Sequence, residues 1–229
     1  MASKRALFET TVMQKYIVAF SGLAIVGFLI AHLAGNLLIY SGPASFNKYA
    51  QGLKDLGLLL WLLRAGTLTA FVLHIVFTLK LKSRNLAARP DDYKEVNAQA
   101  STVYSRSMTL TGLSIFTFVL FHLAHFTWGK VQPDNYHDTW MLMDGRLVHN
   151  AYTMTVAGFH VGWISALYLI AVTVVFFHLN HAVQSSVQTL GFNHPRYRSM
   201  ILRVSQILSI VLWLGFASIP VSVLVGFVK

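Results

Sequence analysis

The chain has 229 residues, 55% of them hydrophobic and only 11% charged, with a formal charge of +10 and no cysteine. A mean hydropathy of +0.57 is far above that of an ordinary soluble domain and makes an integral membrane protein the expectation. The missing cysteine excludes disulfides, thiolate metal sites, iron–sulfur clusters within this chain and any heme attached through Cys-x-x-Cys-His.

In chain order, the segment Met1 to Gln14 mixes Lys4, Arg5, Phe8 and Glu9 and is expected at a membrane surface. Five apolar runs follow at about 16–40, 58–81, 108–128, 158–179 and 204–228, each near or above the roughly 20 residues that span a bilayer. The first is too long for a signal-peptide core and lacks a clear small-residue cleavage site, so it reads as a retained helix. Between the first two spans, Ser41 to Gly57 is rich in turn formers, with Phe46, Tyr49 and Leu53 at the spacing of a short interfacial helix. Trp61 and Arg64 open the second span.

The loop from Lys82 to Ser107 carries Arg89-Pro90-Asp91-Asp92, a break followed by a helix start. From Gly129 to Ala157 the chain is polar and aromatic, with Tyr136, Trp140 and Tyr152, and is expected to cap the bundle, leaving His137 and His149 solvated. The fourth span is expected to continue beyond the bilayer through Gln184, Ser185 and Ser186 before turning near Gly191 and Pro195. The fifth, with Ile219-Pro220 and no histidine, is assigned to packing, with Pro220 as a candidate kink.

In a five-span arrangement Lys4, Arg5, Lys15, Lys80, Lys82, Arg84, Arg89, Lys94, Arg106, Arg196, Arg198 and Arg203 share one side, twelve of the 18 basic residues. The positive-inside rule makes that side cytoplasmic, with the N-terminus in and Lys229 out. The charge therefore serves topology and lipid headgroups, and no nucleic-acid role is expected.

The chemistry-bearing feature is a set of histidines inside the spans. GLAIVGFLIAHLAGN (Gly22 to Asn36) and GLSIFTFVLFHLAHF (Gly112 to Phe126) repeat each other in register, aligning His32 with His122 and His125 with Gly35. An intramembrane histidine is costly and needs a partner. At about 1.5 Å of rise per residue, His32 and His122 fall in the outer half of their spans, and His74 and His178 in the inner half. Each layer thus receives one imidazole from each of two spans, the donor set of a six-coordinate, low-spin b heme. Gly22 and Gly112 stand ten residues before His32 and His122, at the depth of the other layer. There they would admit a flat macrocycle or a close helix contact. Three rivals remain open: His125 one turn after His122, which the repeat disfavours; His181 one turn after His178, separated from it by little depth; and His160 at the outer end of the fourth span, placed to meet a propionate or a quinone.

On HLAGN (His32 to Asn36), LHIVFT (Leu73 to Thr78), FHLAHF (Phe121 to Phe126) and FHLNHAVQSSVQTLG (Phe177 to Gly191), nearly the whole chain resembles the diheme cytochrome b membrane anchor of succinate dehydrogenases and fumarate reductases, the type with one large five-helix subunit. The resemblance implies an all-α bundle of five transmembrane helices enclosing two stacked b hemes. In it His32 and His122 hold the distal iron, and His74 and His178 the proximal one. The ligand of helix IV stands thirteen residues before a matching glycine, which here selects His178 and Gly191. The resemblance also implies a flavoprotein bearing FAD, an iron–sulfur subunit on the cytoplasmic side of a bacterial inner membrane, and a quinone, commonly menaquinone, as substrate in the membrane subunit. HAVQSSVQ and LKSRNLAARPDDYKE would face the iron–sulfur partner. Asp55, Trp61 and Arg64, close to the distal layer, are the candidates for the quinone pocket. A glutamate that some such anchors carry two residues before the helix IV ligand is Phe176 here, so a proton route through that carboxylate does not carry over.

The expected role is a relay of electrons between an outer-side quinone and an inner-side iron–sulfur protein, with no catalytic residue for the carboxylate chemistry. Each electron crossing the full field gains or loses about 2.3 kcal/mol per 100 mV, a term that succinate oxidation with a low-potential quinone exploits and fumarate reduction opposes. The alternatives are a diheme cytochrome b of a hydrogenase or formate dehydrogenase, which lacks the QTLG ending; a transporter or proton channel using the histidines as relays without heme; and a heme-free structural anchor.

Overall fold

A computed structural model describes residues 9–88 and 103–229. Within them lie seven α-helices, five of which are long and apolar enough to cross a membrane by length and composition.

Helix α1 (Thr11–Asn36) begins where the Thr10 hydroxyl accepts the Met13 N–H at 3.2 Å, and tightens into a 3-10 turn over Leu37–Ser41. Gly42 at φ +84° reverses the chain, and Pro43 opens α2 (Pro43–Asp55), where its missing N–H costs nothing. Gly57 at φ +54° turns into α3 (Leu58–Ala87). Helix α4 (Val103–His122) runs without interruption into a π-helical turn, Leu123–Thr127. A two-stranded hairpin, β1 (Thr139–Met141) with β2 (Leu147–His149), lies before α5 (Ala151–His160). Extended backbone at Val161 separates α5 from α6 (Gly162–Thr189), and α7 (Pro195–Leu224) starts on a proline behind a His194 cap.

Helix α6 is central, packing on α1, α4 and α7, while α3 packs mainly along α1. Two buried clusters result. One, with Ile39, Phe46, Phe159, Ile164, Tyr168, Ile219 and Val223, fills the end of the bundle that carries α2 and the hairpin. The other, with Val26, Leu33, Leu179, Val183 and Leu212, joins α1, α6 and α7 further along. Outward positions are apolar, as with Leu68 at 64%, Leu110 at 70% and Ile170 at 64% exposure, an arrangement that suits hydrocarbon and would not suit water.

Several boundaries differ from the sequence expectation. The fourth run splits, because Val161 leaves helical geometry and Gly162 restarts it; the Ser165 hydroxyl crosses the break to donate to the Phe159 carbonyl at 2.5 Å. Helix α6 continues past 179, to Thr189, before Gly191 at φ +98° ends it. The fifth helix starts at Pro195 rather than 204 and carries Pro220 within it; its Leu212, Ile219 and Val223 give it the expected packing role. The expected break at Arg89-Pro90-Asp91-Asp92 lies outside the described residues.

Lys82 donates to the Thr109 hydroxyl at 2.9 Å and Arg84 to the Glu9 carbonyl. The basic end of α3 therefore sits beside the start of α1. At the other end, Arg146 in the hairpin turn bonds Asp144 and the Asp55 carboxylate, each at 2.9 Å, fastening the hairpin to α2.

Candidate functional site: paired histidines at two levels

The structure brings the four selected histidines together as two facing pairs. The rings of His32 on α1 and His122 on α4 stand 5.9 Å apart, centroid to centroid, at 86°. Those of His74 on α3 and His178 on α6 stand 6.5 Å apart at 72°. The levels are separated by the ten residues from Gly22, which touches His74, to His32, or about 15 Å of helix.

The hydrogen-bond partners point to one tautomer for three of the rings. His74 Nδ1 lies 3.1 Å from the Val18 carbonyl, which can only accept, so this nitrogen bears the proton. His178 Nδ1 is 3.1 Å from Thr111 Oγ1. The Thr111 hydroxyl already donates to the Ser107 carbonyl at 3.0 Å, so Oγ1 accepts and His178 donates. A neutral imidazole protonated at Nδ1 keeps its lone pair on Nε2, the nitrogen available to a metal.

At the other level the tautomers follow from a chain. His125 Nε2 lies 2.9 Å from Gln132 Oε1 and therefore donates. Its Nδ1, 3.0 Å from the Tyr168 hydroxyl, must accept that proton. The Tyr168 oxygen then accepts from His122 Nδ1 at 3.2 Å, again leaving Nε2 of His122 free. His32 is held by stacking on Phe28, with centroids 5.3 Å apart at 14°.

The rivals separate on this geometry. Both nitrogens of His125 are committed, and the ring is 3% exposed and stacked on Phe126 at 3.9 Å. It is a structural histidine. His178, and not His181, faces His74. His160 ends α5 and is exposed.

The two pairs are candidate donor sets. Among the described residues no group of three or more His, Cys, Asp or Glu side chains is placed to hold a metal ion. Each pair supplies two imidazoles, one from each of two helices. Small residues lie against the rings: a methyl group added at Gly22 would come within 3.1 Å of His74, and one at Gly112 within 3.5 Å of His178.

The three residues considered for a quinone are only partly assembled. The Arg64 guanidinium lies over the Trp61 ring at 5.0 Å. Asp55 turns away to Gln51 and Arg146, whose hydrogen bonds, Gln51's the larger effect, hold its carboxyl below the usual range. Beside Trp61 and Arg64, Leu62 and Leu63 line an apolar cavity of about 240 Å³ between α1 and α3. A larger groove of about 640 Å³, lined by Tyr16, Phe20, Ser21, Thr69 and Leu73, lies along the same helices near the His74 level.

Tyr168, Thr111, Gln132 and the Val18 carbonyl were not singled out by sequence reasoning. One signal was present: Tyr168 stands ten residues before His178, the interval that places Gly22 opposite the other layer from His32.

Fold and site together define a helical bundle with five segments long and apolar enough to cross a membrane and two pairs of neighbouring imidazoles among them. No family model, no curated protein and no solved structure matches the chain.

Proposed function

We propose that this chain is the membrane anchor and electron-transfer subunit of a succinate:quinone oxidoreductase, relaying electrons between a membrane quinone and an iron–sulfur subunit through two bis-histidine b hemes. The observation that carries the proposal is the pair of facing imidazoles at each of two levels, with Nδ1 of His74, His122 and His178 tied to neighbours and Nε2 left as a ligand. His32 and His122 would hold one iron, and His74 and His178 the other. Bound between two imidazoles, a heme exchanges single electrons without opening a site for oxygen.

The chain's own residues do the rest. The Val18 carbonyl and Thr111 hydroxyl raise the basicity of His74 and His178 by accepting their N–H protons. Phe28, Phe118 and Phe216 keep the His32–His122 level apolar, which disfavours added charge there and limits water. The apolar cavities between α1 and α3 fit an isoprenoid quinone tail. The partners would be a flavoprotein bearing FAD and an iron–sulfur protein at the basic end, the cytoplasmic face of a bacterial inner membrane under the positive-inside rule. The choice of complex rests on the FHLNHAVQSSVQTLG resemblance, while a diheme cytochrome b of a hydrogenase or formate dehydrogenase would share the imidazole geometry.

Purification of the native complex with flavin and metal analysis tests this reading. Covalent or tightly bound flavin and iron–sulfur clusters co-purifying with succinate or fumarate activity support it, and a nickel or molybdenum subunit refutes it.

A further inference from the structure

Resting on that reading, we infer that Tyr168 is a positioning residue for the His32–His122 site, set by a hydrogen-bond chain that begins at Gln132 and ends on His122. The chain is built from four elements: Gln132 in the loop after the π-helical turn, His125 within that turn, Tyr168 on α6 and His122 at the end of α4. Its three contacts, 2.9, 3.0 and 3.2 Å, have one consistent set of donors and acceptors. Gln132 Oε1 has no proton to give, so His125 donates through Nε2; Tyr168 then donates to His125 and accepts from His122.

Burial makes the arrangement exclusive. Tyr168 is 6% exposed and His125 3%, so water offers neither a replacement partner. A methyl group at Gly158 would meet His125 Nε2 at 3.1 Å and Phe126 at 3.2 Å, so this glycine is what lets α5 approach the turn. π-Helical turns recur at functional sites. Here the widened turn carries His125 to a hydroxyl on a neighbouring helix while His122 still reaches the same oxygen.

Two consequences follow for a metal-bound His122. The tautomer is fixed with Nε2 as ligand, and the accepting Tyr168 oxygen raises the basicity of the ring. A more basic axial imidazole favours ferric iron and lowers the reduction potential. The acceptor strength of Tyr168 depends in turn on how strongly His125 takes its proton, so Gln132 tunes a site it never touches.

The test uses the purified full chain with its bound hemes and reads the two midpoint potentials by spectroscopic titration, with the low-spin ferric EPR signals as a second readout. Tyr168→Phe removes the acceptor and is expected to raise one potential only, by up to a tenfold change in ferric over ferrous preference, about 59 mV for one electron. Gln132→Glu strengthens the far end of the chain and is expected to move the same potential down. Opposite shifts on one heme cannot come from simple loosening of the fold, and the His74–His178 heme serves as the internal control. Unchanged potentials in both variants, equal shifts of both hemes, or shifts of the same sign would overturn the inference while leaving two hemes in place. Should Tyr168→Phe lose heme, Gln132→Glu decides alone, a downward shift supporting the inference and any other result overturning it. Wild-type protein without heme would overturn the functional reading itself, and the inference with it.

Discussion

Gly22 and Gly112 occupy matching positions in the internal repeat, yet the structure predicts different responses to the same substitution. An alanine Cβ at Gly22 would lie 3.1 Å from His74 Cε1 and 3.3 Å from Nδ1, whereas at Gly112 the nearest atom, His178 Cε1, is 3.5 Å away. The second is ordinary contact. The first requires the ring to retreat by about 0.3 Å, beyond the roughly 0.2 Å over which metal–ligand distances normally vary. The retreat also stretches the 3.1 Å bond from His74 Nδ1 on α3 to the Val18 carbonyl on α1, the helix that carries Gly22, a contact worth about 1 kcal/mol. Helix propensity pulls the other way, since alanine is favoured over glycine by about 1 kcal/mol in a helix interior. The fold as a whole should therefore keep its stability while the His74 site loses roughly 1–1.5 kcal/mol, near a tenfold drop in heme affinity. Heme per chain, measured by pyridine hemochrome on purified variants, should fall toward one in Gly22→Ala and stay at two in Gly112→Ala. Equal retention in the two variants, or greater loss in Gly112→Ala, refutes the reasoning.

Three further outcomes are expected. His178→Ala should remove one heme, whereas His181→Ala should leave both, as read from reduced-minus-oxidised spectra. Asn47 is fully buried, donating to Asn150 Oδ1 and accepting from the Tyr152 N–H, both at 3.0 Å; Asn47→Ala leaves the Tyr152 N–H without this acceptor, while Asn150 Oδ1 keeps the Thr153 N–H, and should cost about 1–3 kcal/mol in detergent unfolding assays. Asp55 is held below its usual value of 3.8 by Gln51 first and then Arg146. A depressed carboxylate contributes above its unfolded pKa and is lost as pH falls through the folded one, so hydrogen-exchange protection of the β1–β2 hairpin should persist at pH 5 and fall only below 3.8. Arg146→Gln should remove that protection at neutral pH.

The long apolar runs made the five helices able to span a membrane legible, because their hydropathy overrides every local preference. The two histidine levels were legible for a related reason: in a helix of known direction, depth is a count of residues. Depth alone could not separate His122 from His125 or His178 from His181, since residues three apart differ by less than one turn. The separation comes from Gln132 and Tyr168 on one side and from the facing His74 ring on the other, contacts between segments far apart in the chain. The hairpin and the break at Val161 escaped for the opposite reason. Strands of three residues are too short to set up a period, and Val161-Gly162 sits inside an apolar run whose hydropathy conceals a change of backbone geometry. Asp55, Trp61 and Arg64 shared a neighbourhood in sequence, but Arg146, 91 residues further on, takes the carboxylate.

Heme content of the purified chain tests the central claim most directly. Dithionite-reduced protein should show sharp b-type bands with two hemes per polypeptide, and His32→Ala and His74→Ala should each remove a different one. A colourless wild-type protein, or one whose heme survives replacement of all four histidines, would contradict the account.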